Sequence, residues 1–256
     1  MSEELIKRIT QKKEFSQLPK KDVEIALEKF DKPRNNDYQK IKLTRNFLRG
    51  VFSSFSSRKL FSTKKRKDVE WHLMKHKSTK ERFFYYEEIY KKIFGNIKEC
   101  SVIDLGAGVN GLSYNFFKKQ KIKVNYVAVE AVGQLVDLMN RYFAENNLNG
   151  KAFHFSIFEL EKVKALVKKQ KKPRIMFLLK VIDSLEVMKR DYSKEIIKEI
   201  IGFSDRFVLS FATRSLGKGK KFSVNRGWIL NFIKENYLVL NDFELGGERY
   251  LIFSKK

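Results

Sequence analysis

Val102-Ile103-Asp104-Leu105-Gly106-Ala107-Gly108-Val109-Asn110-Gly111 is an apolar run that stops on three closely spaced glycines. Residues 101–105 read as a short buried strand, Gly106 and Gly108 as a turn whose backbone can approach a ligand, and Gly111 to Lys119 as a helix. Downstream, short β-branched and aromatic runs alternate with amphipathic ones. Strands are expected at 124–129, 151–157, 174–180 and 206–210, and helices at 133–146, 159–169, 194–203 and 225–236. Strands separated by helices pair in parallel through right-handed crossovers, giving a sheet covered on both faces. The last two runs, Leu240 to Leu245 and Arg249 to Ser254, leave no room for a helix around Gly246-Gly247 and predict an antiparallel hairpin at the sheet edge.

This order resembles the class I methyltransferase variant of the Rossmann fold, an α/β architecture with a seven-stranded, mostly parallel sheet. The first 95 residues have another period. Val23, Ile25, Ala26 and Phe30, then Ile41, Leu43, Phe47, Leu48, Val51 and Phe52, recur at helical spacing on either side of a break at Pro33, Asn35 and Asn36, and a further helical stretch runs from Asp68 to Phe94. The expected organisation is an N-terminal helical subdomain over 1–95 and a ligand-binding domain over 96–256.

Charge narrows the partner. The 256 residues hold 54 Lys and Arg against 30 Asp and Glu, a net +24, which favours a polyanion such as RNA. Residues 1–80 carry 22 cations and 10 acids, so half of the excess lies in under a third of the chain. The densest piece contains Arg58, Lys59, Lys64, Lys65, Arg66 and Lys67 with no acid and reads as a phosphate-contacting arm or a solvated loop. No apolar run reaches the roughly 18 residues that cross a bilayer. The charged start, Met1 to Phe15, lacks the apolar stretch of a secretory signal, so a cytoplasmic protein without a membrane partner is expected. The single cysteine, Cys100, excludes a disulfide framework. His72 and His76 share helical spacing, but no further ligand lies near them and no metal is expected. A monomer is favoured.

The glycine run formally matches GxGxxG, and Glu130 at the end of the second strand can accept from two ribose hydroxyls, as NAD and S-adenosylmethionine both require. Asp104, two residues before Gly106, makes Asp-x-Gly-x-Gly, which looks like the methyltransferase form of the loop and favours S-adenosylmethionine. At the end of the third strand, where an acid often meets the adenine amine, stands Ser156, with Glu159 the nearest carboxylate.

The chemistry is narrowed by what is missing. Exocyclic-amine methylation commonly uses an Asn/Asp-Pro-Pro-aromatic motif, and the only prolines are Pro19, Pro33 and Pro173. Pyrimidine C5 methylation needs a cysteine nucleophile, and Cys100 sits at the wrong end of the first strand. Methylation of an atom with a free lone pair, such as guanine N7, needs alignment only and no general base. A ribose 2'-hydroxyl stays open, because Lys180 could assist its deprotonation.

Three segments carry a family resemblance. His76-Lys77-Ser78-Thr79-Lys80-Glu81-Arg82, Leu178-Leu179-Lys180 with Leu185-Glu186, and Ser210-Phe211-Ala212-Thr213-Arg214-Ser215-Leu216-Gly217 resemble, in order, motifs of the aminoglycoside-resistance 16S rRNA (guanine-N7) methyltransferases. The resemblance implies an S-adenosylmethionine-dependent enzyme acting on 16S rRNA in the 30S subunit, docked through the basic residues before 95. It also implies that Arg82 grips the methionine carboxylate, the alternative being a helix-surface residue paired with Glu81 or Glu87. The expected cofactor residues are therefore Arg82, Asp104, Gly106, Gly108, Glu130 and Ser156. Lys180 and Arg214 are expected to position the target, with Lys218, Lys220 and Lys221 on RNA. The chain departs from the family's motifs at Ala107, where a cysteine is usual, and at Gly111 and Ala212, where prolines are. The rival readings are a 2'-O or tRNA methyltransferase and a non-catalytic RNA-binding or ribosome-assembly protein on the same fold.

Overall fold

A computed structural model describes residues 3–53, 68–213 and 226–256. Seven strands form one sheet: β1 (Glu99–Leu105), β2 (Lys123–Glu130), β3 (Gly150–His154), β4 (Arg174–Leu179), β5 (Arg206–Ala212), β6 (Leu238–Leu245) and β7 (Glu248–Ser254). Their order is β3-β2-β1-β4-β5-β7-β6. The first five pair in parallel, while β7 runs antiparallel to both β5 and β6. Gly246 and Gly247, with φ of +62° and +77°, make the two-residue turn of the terminal hairpin. The sheet is the class I methyltransferase arrangement read from the sequence.

The central strands are continuous apolar runs because both of their faces are covered. On one face, α6 (Tyr86–Phe94), α7 (Tyr114–Lys119) and α8 (Gly133–Glu145) bury Tyr90, Phe94, Phe117 and Phe143 over Val102 and Tyr126. On the other, α9 (Leu160–Lys168), α10 (Ile182–Met188), α11 (Tyr192–Ile200) and α12 (Gly227–Asn236) pack over Ile103, Met176 and Leu209. The strand order turns between β1 and β4, and this reversal opens a crevice beyond their carboxyl ends.

The N-terminal helices α1 (Glu3–Thr10), α2 (Lys20–Glu28) and α3 (Asp37–Leu48) form their own apolar cluster around Ile9, Phe15, Val23 and Leu48, which reaches the rest of the fold through Met188 of α10. Asn36 caps α3 in a capping box with Gln39, so the break expected at 33–36 becomes a helix start. The stretch from Asp68 to Phe94 is divided into α4 (Val69–Lys75), α5 (Lys77–Arg82), a 3-10 turn and α6, and Leu73, Tyr86 and Ile93 pack into the sheet's own core. No helix among the described residues is long and apolar enough to cross a membrane.

Candidate cofactor cleft

The crevice holds a cleft of about 750 Å³, counting solvent at its mouth, within the rough 300–1,000 Å³ range of small-molecule sites. Gly106 and Gly108 form its floor after β1, Glu130 closes the end of β2, and Lys180 and Val181 follow β4. Both glycines have left-handed backbones, φ +72° and +57°. A Cβ at Gly106 would stand 2.6 Å from Val181 Cγ2, and one at Gly108 would stand 2.8 Å from the His76 ring. Gly111 plays a different part: a Cβ there would meet Phe143 at 2.8 Å, so it allows the turn after β1 to pack close to α8.

Glu130 is buried and shapes the turn as well as lining the cleft. Its Oε2 accepts from the Gly108 N–H at 2.8 Å and its Oε1 from the Val132 N–H at 2.9 Å. Burial pushes its carboxyl above the ordinary range, against these two donors. Asp104 lies beneath the turn and not on the cleft wall. Its Oδ2 accepts from Asn110 Nδ2 at 2.8 Å and from the Tyr126 hydroxyl, and Asn110 in turn accepts from Tyr86 at 2.8 Å. This web anchors the segment that carries the glycines.

Arg82, at the end of α5, is only 2% exposed. Its Nε donates to both oxygens of Glu248, at 3.1 and 3.0 Å, and Nη1 donates to Asn110 Oδ1 at 3.2 Å. Nη2 is buried and has no partner among the described residues. Glu248, the first residue of β7, also accepts from Ser210 and lies 3.2 Å from Lys180 Nζ, which pairs with Glu81 on its other side. Burial alone would raise the Glu248 carboxyl; the Arg82 and Lys180 charges outweigh it and hold it below its usual value. Lys180 reaches this position from a left-handed backbone, φ +58°, a strain that occurs where the surroundings over-determine a residue.

His76 is the wall that the sequence reading left without a role. Its ring lies in the cleft against Gly108 and shares a 3.0 Å hydrogen bond with Ser78 Oγ. Burial, with the Arg82 and Lys180 charges behind it, pushes the imidazole down to about 3, so it is neutral at pH 7. Ser156 is fully buried just behind the cleft and accepts from the Phe158 N–H at 3.1 Å. Glu159 accepts from the Ser156 N–H at 3.1 Å and pairs with Lys162, so the carboxylate nearest in sequence serves the loop. Besides Glu130, the cleft takes a second carboxylate, Asp22, from α2.

The structure thus brings Gly106, Gly108, Glu130 and Lys180 to one cleft, with Arg82, Asp104 and Ser156 in the layer supporting it. Arg58, Lys59, Lys64, Lys65, Arg66, Lys67, Arg214, Lys218, Lys220 and Lys221 lie outside the described residues. Cys100 is buried at the opposite end of β1 from the glycines. The residues fit a zwitterionic nucleoside: an unpartnered guanidinium nitrogen suits a carboxylate, and a glycine floor too tight for a Cβ admits close backbone contact.

A family model for ribosomal RNA methyltransferases (FmrO) matches residues 65–226. No curated protein matches the sequence. Among solved structures, the chain is similar to the 16S rRNA methyltransferase RmtF in complex with S-adenosyl-L-homocysteine, with a TM-score of 0.81, 16% identity and 100% of each chain covered. It is similar to the 16S rRNA methylase RmtB, with a TM-score of 0.78, 16% identity and 99% and 98% covered. An rRNA methylase from Escherichia coli gives a TM-score of 0.78 at 17% identity, with 99% of each chain covered. These likenesses establish the fold, and the family match goes further, in agreement with the S-adenosylmethionine cofactor read from the glycine turn. The chain belongs to the FmrO family of ribosomal RNA methyltransferases.

Proposed function

We propose that the protein methylates a guanine N7 of 16S rRNA within the 30S subunit, with S-adenosylmethionine as methyl donor. The cofactor supplies a sulfonium-bound methyl group. Gly106 and Gly108 would seat it, Glu130 would accept from its ribose hydroxyls, and Arg82 Nη2 would take its carboxylate. A guanine N7 attacks with its own lone pair, so the protein need only align that atom with the methyl and exclude water.

The observation favouring N7 over a ribose hydroxyl is the state of Lys180. Its ammonium is directed at Glu81 and Glu248 and would have to leave both to assist a deprotonation. His76, pushed down to about 3, is a weak base. Lys180 and Arg214 are proposed to position the target, and Arg58, Lys59, Lys64, Lys65, Arg66, Lys67, Lys218, Lys220 and Lys221 to contact the RNA. Residues 1–95 are proposed as the docking part and 96–256 as the methyltransferase part. Within the former, Arg8, Lys12, Lys42 and Arg49 rim a concave surface beside exposed Tyr38, a form suited to a phosphate backbone and a stacked base.

Docking of this kind is electrostatic. Raising salt from roughly 50 to 200 mM is expected to weaken binding to 30S subunits by a factor on the order of 10³, measured by filter binding. Affinity for S-adenosylhomocysteine, measured by calorimetry over the same range, is expected to change about twofold or less. Equal, shallow salt dependence of both would contradict the docking role of the basic residues.

A further inference from the structure

Asp22 is an acid on an apolar stripe. In α2, Asp22 and Ala26 share one face and Val23 and Leu27 the next, and all four are buried. The segment leading into the helix is tied to the sheet. His154 Nε2 meets the Gln17 carbonyl at 2.6 Å, and Gln17 packs so closely over Gly133 that a Cβ there would stand 3.0 Å from its own Cβ. The helix therefore delivers Asp22 into the cofactor cleft from outside the sheet. The side chain is 2% exposed, and Oδ2 has no hydrogen-bond partner among the described residues.

Its surroundings explain why the acceptor is unfilled. The Ser156 hydroxyl beside the Asp22 carboxylate favours its charged form, while Glu130 and Glu159 stand near it as like charges. Burial, with those two carboxylates, pushes the Asp22 carboxyl up to about 7. Glu130 already accepts two backbone N–H groups, and Glu159 serves the Ser156 amide and Lys162. Ile157, Phe158, Val132 and Leu135 give this part of the cleft apolar walls. An unfilled carboxylate oxygen between apolar walls suits the edge of a flat heteroaromatic ring that carries an N–H donor.

We propose that Asp22 accepts a hydrogen bond from the exocyclic amine of the cofactor's adenine, so that the N-terminal helices supply the base-selecting group of the cofactor site. This assignment rests on the cofactor reading above. It places the adenine acceptor, expected near Ser156, on a different element, with Ser156 orienting it.

The test is calorimetric titration of the full chain with S-adenosylhomocysteine and with S-inosylhomocysteine, in which an oxo group replaces the amine. The wild type is expected to prefer the amine-bearing ligand by about tenfold or more. Asp22→Ala is expected to abolish that preference with little change toward the inosine ligand, and Asp22→Asn, whose amide can donate to the oxo group, to reverse or erase it. Preserved preference in either folded variant, checked by circular dichroism, would overturn the proposal, as would an equal loss toward both ligands, which would point to the ribose or to packing. Failure of the wild type to bind either ligand would instead remove the cofactor reading on which the proposal stands.

Discussion

Glu248→Ala is expected to lower the free energy of unfolding by about 3–5 kcal/mol, the usual cost of leaving a buried charge without its partner. Arg82 is only 2% exposed, and Glu248 holds it through both carboxylate oxygens. Lys180 keeps Glu81 after the substitution, whereas Arg82 keeps only the neutral Asn110. Against a total stability of about 5–15 kcal/mol for a folded domain, such a loss is severe. Urea unfolding followed by circular dichroism measures it, with Glu87→Ala, which breaks the exposed pair with Lys119, as a reference expected to lose less than about 1 kcal/mol. Equal, small losses in the two variants would show that the buried pair does not hold the fold. The same pair sets an acid limit. Because Glu248 is held below its ordinary value of 4.5, its stabilisation is present above that pH and is lost as pH falls through the lower folded value.

The second large effect is on ligand affinity. Gly106→Ala is expected to weaken S-adenosylhomocysteine binding at least about tenfold, equivalent to 1.4 kcal/mol. Two costs coincide at this residue. A left-handed backbone costs an L-residue about 1–2 kcal/mol, and the new Cβ would displace Val181, which forms the opposite wall of the cleft. Gly202→Ala is the control, since nothing lies within 4 Å of a Cβ there. Calorimetry on both variants gives the answer: affinities within twofold of wild type for Gly106→Ala would mean that the glycine turn does not touch the ligand.

The parallel strands were legible because a sheet covered on both faces writes itself as apolar runs with little alternation, as in Arg174–Leu179. The hairpin was legible from Gly246-Gly247. Besides the division of the 68–94 stretch, three features differ from the periodic reading, each for a local reason. The third strand, expected to reach Ile157, ends at His154, because the Ser156 and Phe158 amides turn to Glu159 and to the Ser156 hydroxyl. The helix expected from Gly111 begins as a 3-10 turn over Asn110–Ser113, whose first residue is held by Asp104 and Tyr86. The helix Ile182–Met188 was not expected, since seven residues are too few for a period to stand out.

Within the site, local motifs identified Gly106, Gly108 and Glu130, which meet within one βαβ unit. The Arg82–Glu248 pair joins residues 166 apart, and no local pattern announces such a partner. Asp22 left one trace, an acid among the buried positions of an amphipathic helix, and that signal becomes interpretable only once α2 is placed over the sheet.

The destination of the methyl group tests the proposed activity most directly. Isolated 30S subunits incubated with the protein and S-adenosylmethionine labelled in its methyl group are expected to incorporate label into 16S rRNA, and cleavage chemistry specific for 7-methylguanine is expected to cut that RNA at one site. Label confined to ribose or to added tRNA, or no label with a protein that binds S-adenosylhomocysteine, would contradict it.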